Sequence, residues 1–536
     1  MTALRKAFIT AILKSLLRGK SLLQAFLAYW TRPLSTSRPP FTPLPPAKSL
    51  QEFLKEAETA LLGPVSGHGL LNLSSGLEKQ FLERLRTDME CMLPSYSHQL
   101  PTGCESGQYV ALDVGGSTLR VALVELRGRS AGGTQQSEIL SLQEFRIDRH
   151  VKALEGMAFF SWMADRIRQT LSTGLKREYS PEKPLPMALA WSFPIEQTSV
   201  GGGKLQRMGK SFSADKDLLG QDLGCIIQQS CKQCGLNVEL RAILNDSSAC
   251  LLSRAYSYTS TRFSLILGTG LNMAAFFPVM GIGRPKFGVR SSQWFDEASH
   301  VIVNTELSMF GHGILPLTRW DHGLNEDHPR PDYQPLEYLV SGMYMGEIAR
   351  LAILEAIPTT GLLGGIVPSS LKASYSLGTD TLALIESDDT PELTEAIKAF
   401  SERHPSSHEP TTSDMLAVKA IASFVSTRSS AIVATCVYTL WRCRLEAEKA
   451  FISTLPDTSA ERVLAEADLQ LETTTVAFNG GVIEKYPGYL DTCQRYINDL
   501  VQSKSSTEPR SICLVPAKES SLMGAAVAIA CMERAG

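Results

Sequence analysis

The chain places an Asn-Asp pair, Asn245-Asp246, between a β-like run ending at Leu244 and an apolar helical run that begins with Ser247-Ser248. A carboxylate fixed at such a junction can act as a general base, accepting a hydroxyl proton as that oxygen attacks phosphorus. The same residue types also describe ordinary helix capping, where side-chain oxygens satisfy the free amides of a first turn. Two Gly-rich turns bracket the pair. Upstream, the residues from Tyr109 through Asp113, Gly115, Gly116, Ser117, Thr118 and Arg120 to Glu125 read as strand, tight turn, strand. Downstream, Phe263-Ser-Leu-Ile-Leu runs as a buried strand into the turn Gly268-Thr269-Gly270. Glycines let backbone amides approach an anion closely, and a Ser or Thr hydroxyl adds a donor. Either turn alone would be a plain hairpin. Asp113 changes the first, because an acid beside a phosphate cradle repels phosphate unless a metal ion or its water lies between, which implies Mg²⁺.

Further segments follow in a fixed order. Ser192-Phe-Pro-Ile-Glu-Gln-Thr precedes Leu205-Gln-Arg-Met-Gly209-Lys210-Ser-Phe, and Asn272 lies just past the second turn. Then come Asn304-Thr-Glu306, the run from Leu336-Glu337 to Glu347, Phe478-Asn479-Gly480-Gly481, and Gly524-Ala-Ala. Together, from about Leu50 to the C-terminus, these segments resemble the eukaryotic-type hexokinases, members of the sugar kinase, actin and Hsp70 superfamily. The resemblance implies an α/β fold, a two-lobed actin-like (ribonuclease H-like) ATPase with a cleft between a small and a large domain. It implies that Ser192, Lys210, Asn245, Asp246, Asn272, Glu306 and Glu337 hold a sugar. It assigns ATP to Asp113, Gly115, Gly116, Ser117, Thr118, Arg120, Gly268, Thr269, Gly270, Asn479, Gly480 and Gly481. Asp246 is then the base for a 6-hydroxyl, Lys210 a cation beside the transferred phosphoryl group, and Asp113 the Mg²⁺ site, through water. Without the resemblance, Lys210 is a solvated lysine, Glu306 a turn cap and Glu337 an exposed helix residue.

The chain departs from the family pattern in places. Thr118 stands where an Asn is typical, Gly209 where many members have Thr, Asn479 and Gly481 where Asp and Ser are common, and Met273 where Gly is usual. These changes predict a weaker phosphate contact, a looser or roomier sugar cradle, and altered adenine affinity and loop flexibility. Three functions fit. The first is a kinase for glucose, mannose, fructose or N-acetylglucosamine, feeding glycolysis or amino-sugar metabolism. The second is a catalytically weak, regulatory sugar sensor. The third is a plain actin-like or Hsp70-like ATPase, which the pairing of Glu306 and Glu337 with Lys210 disfavours.

The composition is compatible with this. The 536 residues, 43% hydrophobic, allow substantial cores, and a formal net charge of −3 disfavours a nucleic-acid partner. Eleven cysteines lack a framework spacing; Cys231-Lys-Gln-Cys234 is the one close pair. Reduced thiols and a cytoplasmic location are therefore expected. The first residues differ in kind: up to Gln51 there are eight Lys or Arg and no acid, with apolar residues at helical spacing from Phe8 to Leu27. This reads as a basic amphipathic helix over 1–32, followed by a Pro-rich linker over 33–49. It is either a targeting or membrane-surface segment, with mitochondrial association, or a helix docked on the protein's own large lobe. The expected domains are a large one over 50–105 and 246–519 and a small one over 106–245 and 520–536. The stretch Asp414 to Phe451 reads as a buried core helix, while Asp380 to Thr412 and Thr454 to Thr475 read as peripheral insertions.

Overall fold

The computed structural model describes residues 48–132, 136–174, 183–209, 211–504 and 510–535. The amphipathic segment over 1–32, nearly all of the linker, and Lys210 lie outside the described residues. The linker ends at a helix start: the Ser49 hydroxyl accepts from the Glu52 amide and Glu52 reaches back to the Ser49 amide, a capping box that opens the helix Leu50–Leu62.

Strands are numbered in chain order. β1 (Leu93–Pro94) is followed by the meander β2 (Ser106–Val114), β3 (Thr118–Arg127) and β4 (Ser137–Arg146). Next come β5 (Leu185–Trp191), the hairpin β6 (Ile195–Gln197) and β7 (Gly203–Leu205), and β8 (Val238–Leu244). The first sheet has the order β4-β3-β2-β5-β8, with β5 parallel to both β2 and β8. Its parallel strands are apolar runs rather than alternations because helices cover both faces. Met157–Gly174 and Leu223–Gln233 lie on one face, and the final helix Ser520–Ala535 on the other.

The second sheet is built from β9 (Thr261–Leu267), β10 (Leu271–Pro278), β11 (His300–Asn304), β12 (Thr473–Asn479) and β13 (Ser511–Pro516), in the order β1-β11-β10-β9-β12-β13. The larger core covers it, centred on the helix Thr412–Thr454. That helix is long and apolar enough to cross a membrane by length and composition, yet 78% of its most apolar window is buried in the protein. It is a core helix, as its composition predicted. Its fully buried Arg428 is neutralised by Asp321, with Nη1 2.6 Å from Oδ2 and Nη2 2.8 Å from Oδ1.

Two expectations change. The stretch Asp380 to Thr412 is not peripheral: its helices Thr379–Ser387 and Thr394–Arg403 bury Leu382, Ile385, Ala396 and Phe400 in the main core. The stretch Thr454 to Thr475 ends inside β12, a central strand, and its Asp468 joins Arg262 and Arg444 in an ion-pair network. Polar composition misleads in both because short amphipathic helices expose one face while burying the other.

Between the sheets runs the helix Asp246–Ser257, packed on β9 and β12 and on the final helix. The two helices approach so closely at Gly524 that a Cβ there would lie 1.9 Å from the Ala249 carbonyl oxygen. Only glycine permits that crossing, and the crossing fixes where the helix that begins at Asp246 can point.

Candidate active site

Asn245 is the N-cap of that helix: its Oδ1 accepts from the Ser247 amide at 2.9 Å and from the Ser247 hydroxyl at 2.7 Å. Capping and catalysis are therefore not rival readings. Asn245 does the capping, and Asp246 occupies the first helical position, where the helix N-terminus favours a negative charge. Asp246 Oδ1 also accepts from the Ser247 amide, at 2.7 Å, and Ser264 Oγ on β9 donates to the Ser247 carbonyl at 2.6 Å. Asp246 is held at a strand-to-helix junction pinned to the second sheet.

A row of amides and acids leads away from it. Asn272 Nδ2, on β10, donates to Asn304 Oδ1 at 2.9 Å and lies 3.4 Å from Asn245 Oδ1. Asn304 Nδ2 donates to Glu306 Oε1 at 2.8 Å. Glu306 sits just past β11 with φ +49°, a left-handed conformation that is costly for a side chain of its size. Burial raises its carboxyl above the ordinary range; the Asn304 hydrogen bond opposes this, and the nearby Asp246 charge adds to it. The two acids are thus near enough for one charge to act on the other. The structure thus brings together Asn245, Asp246, Asn272 and Glu306, and adds Asn304, which the sequence reading quoted but gave no role. A signal was present: Asn304 lies in the same short Asn-Thr-Glu segment as Glu306.

Glu337 joins from another direction. Its Oε2 accepts from the Leu271 amide at 2.9 Å, immediately after the second turn. A Cβ on Gly270 would lie 2.8 Å from that oxygen, so a side chain there would push the Glu337 carboxylate aside. Behind the turn, the Gly342 amide donates to Gly268 O at 2.8 Å and Ser341 Oγ donates to Thr269 O at 2.8 Å. Gly480, at φ +131°, has no room for a Cβ, which would lie 2.3 Å from the Leu267 carbonyl oxygen; it brings Gly481 against Gly268. The segment Asn479–Gly481 and the turn Gly268–Gly270 therefore form one continuous surface. Asn479 Nδ2 donates to Ala517 O at 3.1 Å.

Ser192 follows β5, its amide donating to Val114 O at 3.3 Å beside the first turn. That turn is closed by the Gly115 amide on the carbonyl oxygen of Thr118 at 3.0 Å, so Thr118, the first residue of β3, contributes its backbone here. Arg120, expected at the nucleotide, pairs with Asp113 (Nε to Oδ2, 3.1 Å) and with Glu519 (Nη1 to Oε2, 2.8 Å). The argument that Asp113 demands a metal to offset its charge loses force, since Arg120 already offsets it. Among the described residues no cluster of three or more His, Cys, Asp or Glu side chains could hold a metal ion by itself. Mg²⁺ needs no such cage, since it is commonly held by one or two carboxylates, waters and substrate phosphates. Asp113 fits that pattern, because Arg120 engages only its Oδ2. Met273, expected to alter a loop, is instead a fully buried residue of β10 paired with Leu265, so it affects packing and not loop flexibility. Gly209 has φ +67° and open space where a Cβ would project.

Two family models, each described as Hexokinase, match residues 55–256 and 262–531. The chain is 28% identical to Hexokinase-2 of Candida albicans over 449 residues, 83% of this chain and 84% of that protein. It is likewise 28% identical to Hexokinase-1 of Saccharomyces cerevisiae over 485 residues, 90% of each. Among solved structures, a hexokinase from Schistosoma mansoni complexed with glucose shares the fold, with a TM-score of 0.70 at 24% identity, covering 90% of this chain and 100% of that one. The architecture is thus the two-lobed, actin-like α/β fold that the motif order implied. This chain belongs to the hexokinase family, phosphotransferases that use ATP to phosphorylate a sugar hydroxyl.

Proposed function

We propose that the chain is an active kinase that transfers the γ-phosphoryl group of ATP to the 6-hydroxyl of a hexose or N-acetylhexosamine. The observation that carries this reading is the continuous polar row Asn245–Asn272–Asn304–Glu306 beginning beside Asp246. Three amides in a row between the carboxylates of Asp246 and Glu306 satisfy the donors and acceptors of a polyol pairwise, and a sugar so held presents one hydroxyl to one base. In this reading Asp246 accepts the proton of the 6-hydroxyl as its oxygen attacks the γ-phosphorus. Glu306 and Glu337 accept from other hydroxyls. Lys210, assigned by its motif, supplies positive charge to the transferred group. Asp113 would hold Mg²⁺ through water, and the ion would spread the charge of the phosphates. The turns at Gly115–Thr118 and Gly268–Gly270 are carried by different sheets, so sugar-driven closure would complete the site and exclude water as a competing acceptor. The small domain in this scheme is 106–245 with 520–536, and the large domain the remainder from residue 50.

A coupled assay of the purified protein with ATP and Mg²⁺ against glucose, mannose, fructose and N-acetylglucosamine tests the proposal. Turnover with at least one of them is expected. The open space at Gly209 makes the C2-substituted sugar the informative member of the panel. Sugar binding without turnover would replace the kinase with a regulatory sensor. For location, we propose a cytoplasmic protein attached to the mitochondrial surface by its basic segment. A fluorescent fusion lacking residues 1–46 should lose that attachment, and an unchanged distribution would defeat the idea.

A further inference from the structure

Glu386 belongs to none of the groups assigned above. It lies on the helix Thr379–Ser387, and its Oε1 accepts from Tyr486 Oη at 3.0 Å and from Ser426 Oγ at 3.1 Å. Tyr486 ends the short helix Gly481–Lys485, which opens directly from the Asn479–Gly481 segment; its amide donates to Val482 O at 3.0 Å. Beside it, Tyr489 pairs with Ser429 Oγ at 2.7 Å, and Ser429 donates to the carbonyl of Val340, on the helix that carries Glu337. Ser426 and Ser429 both stand on the long core helix Thr412–Thr454. At the other end of the Glu386 helix, Thr379 Oγ1 donates to Gly342 O at 2.6 Å, and the Gly342 amide donates to Gly268 O. One helix is thus tied at its start to the phosphate turn and near its end to the segment that faces that turn.

We infer that Glu386 is a positioning residue for the nucleotide: through Tyr486 it sets the placement of Gly480-Gly481 against Gly268–Gly270, and with it the affinity for ATP but not for sugar. The inference rests on the assignment of Asn479–Gly481 to the nucleotide made above. Burial pushes the Glu386 carboxyl up to about 7, with hydrogen bonds from Tyr486 and Ser426 and the charge of Lys419 acting in the opposite sense. The titratable groups that face this cluster are Tyr486, Tyr489 and Lys419. Lys419 is committed to Asp388 O at 2.6 Å and Asp389 Oδ1 at 3.1 Å. Both tyrosine hydroxyls are driven, first by burial, well above their usual range and stay protonated donors. An ionised carboxylate accepts from Tyr486 more strongly than a neutral one, so Tyr486 is held more firmly above neutral pH than below it.

The test measures ATP binding by calorimetry, without sugar, for the full chain, Glu386→Gln and Tyr486→Phe at about pH 6 and about pH 8.5. The ionisation of ATP itself is common to all three. Both variants should bind ATP roughly 3- to 10-fold more weakly than wild type at the higher pH and within about twofold of it at the lower, the difference between a charged and a neutral hydrogen bond. The KM for sugar should not move. Stability supplies a control of opposite sign. A carboxyl raised in the folded state stabilises below its unfolded value, and that contribution is lost as pH rises through about 7. Glu386→Gln should therefore melt no lower than wild type at pH 8.5, and weaker ATP binding there is not a folding defect. Equal ATP affinity of wild type and both variants at pH 8.5, or a parallel loss of sugar affinity, would overturn the inference. Failure of the kinase reading shows separately, as absent sugar-dependent turnover in wild type, and leaves the ATP-binding comparison decisive for Glu386.

Discussion

The Arg120 guanidinium joins Asp113 at the first phosphate turn to Glu519 at the start of the final helix, with contacts of 3.1 Å to the former and 2.8 Å to the latter. It therefore offsets the charge of an acid beside the turn, and it does so from a strand that the turn itself positions. Arg120→Ala leaves the Asp113 charge facing the triphosphate. At roughly 8 Å and an effective dielectric near 20 this costs about 2 kcal/mol, or roughly thirtyfold in ATP affinity. Calorimetric titration with ATP in the absence of Mg²⁺ measures it, and adding Mg²⁺, which would offset the Asp113 charge, should recover part of the loss.

Asp246→Ala should reduce sugar-dependent turnover by about 10²- to 10⁴-fold. The fold should persist, because the cap that starts the helix is Asn245 and not Asp246. Asn245→Ala is the complementary case: it removes the cap, costing about 1 kcal/mol in chemical denaturation, and lowers activity by releasing Asp246. Equal loss of stability in the two variants would contradict this division of roles.

Glu306 has a carboxyl raised by burial and by Asp246. A raised acid stabilises the fold below its unfolded value, and that contribution disappears as pH rises through its folded value. Glu306→Gln should consequently raise the melting temperature at pH 8 relative to wild type, with a smaller difference at pH 4, while weakening sugar binding. Thermal melts at the two pH values, with and without sugar, show both effects.

Gly524→Ala places a carbon where the Ala249 carbonyl oxygen lies, 1.9 Å away. Two helix backbones must separate to admit it, at a cost of about 1–3 kcal/mol or more. Since the displaced partner is the helix that begins with Asp246, turnover should fall further than the population of folded protein does. Denaturant titration alongside kcat separates the two.

Arg428→Ala strands Asp321, which is buried and held below the ordinary carboxylate range by Arg428 and Thr318 in spite of its burial. Removal of one partner from such a pair costs about 3–5 kcal/mol. Urea denaturation should show this loss, and Arg428→Met with Asp321→Leu should restore much of it.

The local order of this protein is legible in its residues. The Gly-rich turns appear at β2–β3 and β9–β10, the strand-to-helix junction falls at Asn245-Asp246, and the long apolar pattern is the core helix Thr412–Thr454. Each depends on interactions within a few residues, such as side-chain periodicity, capping and glycine's backbone freedom, which sequence encodes directly. Other features depend on atoms remote in sequence. Arg120 meets Asp113 across the β2–β3 hairpin, but it reaches Glu519 only because the final helix returns to the first sheet. Gly524 is required by the Ala249 backbone, and Gly480 by that of Leu267, through close approaches between elements. Asn304 gains its role from strands β10 and β11 lying side by side, which brings Asn272 to it. The sequence by itself determined which elements form and which chemistry they carry. Only the tertiary structure decided which charges compensate one another, because electrostatic pairing and steric exclusion act over ångströms in space whatever the separation along the chain.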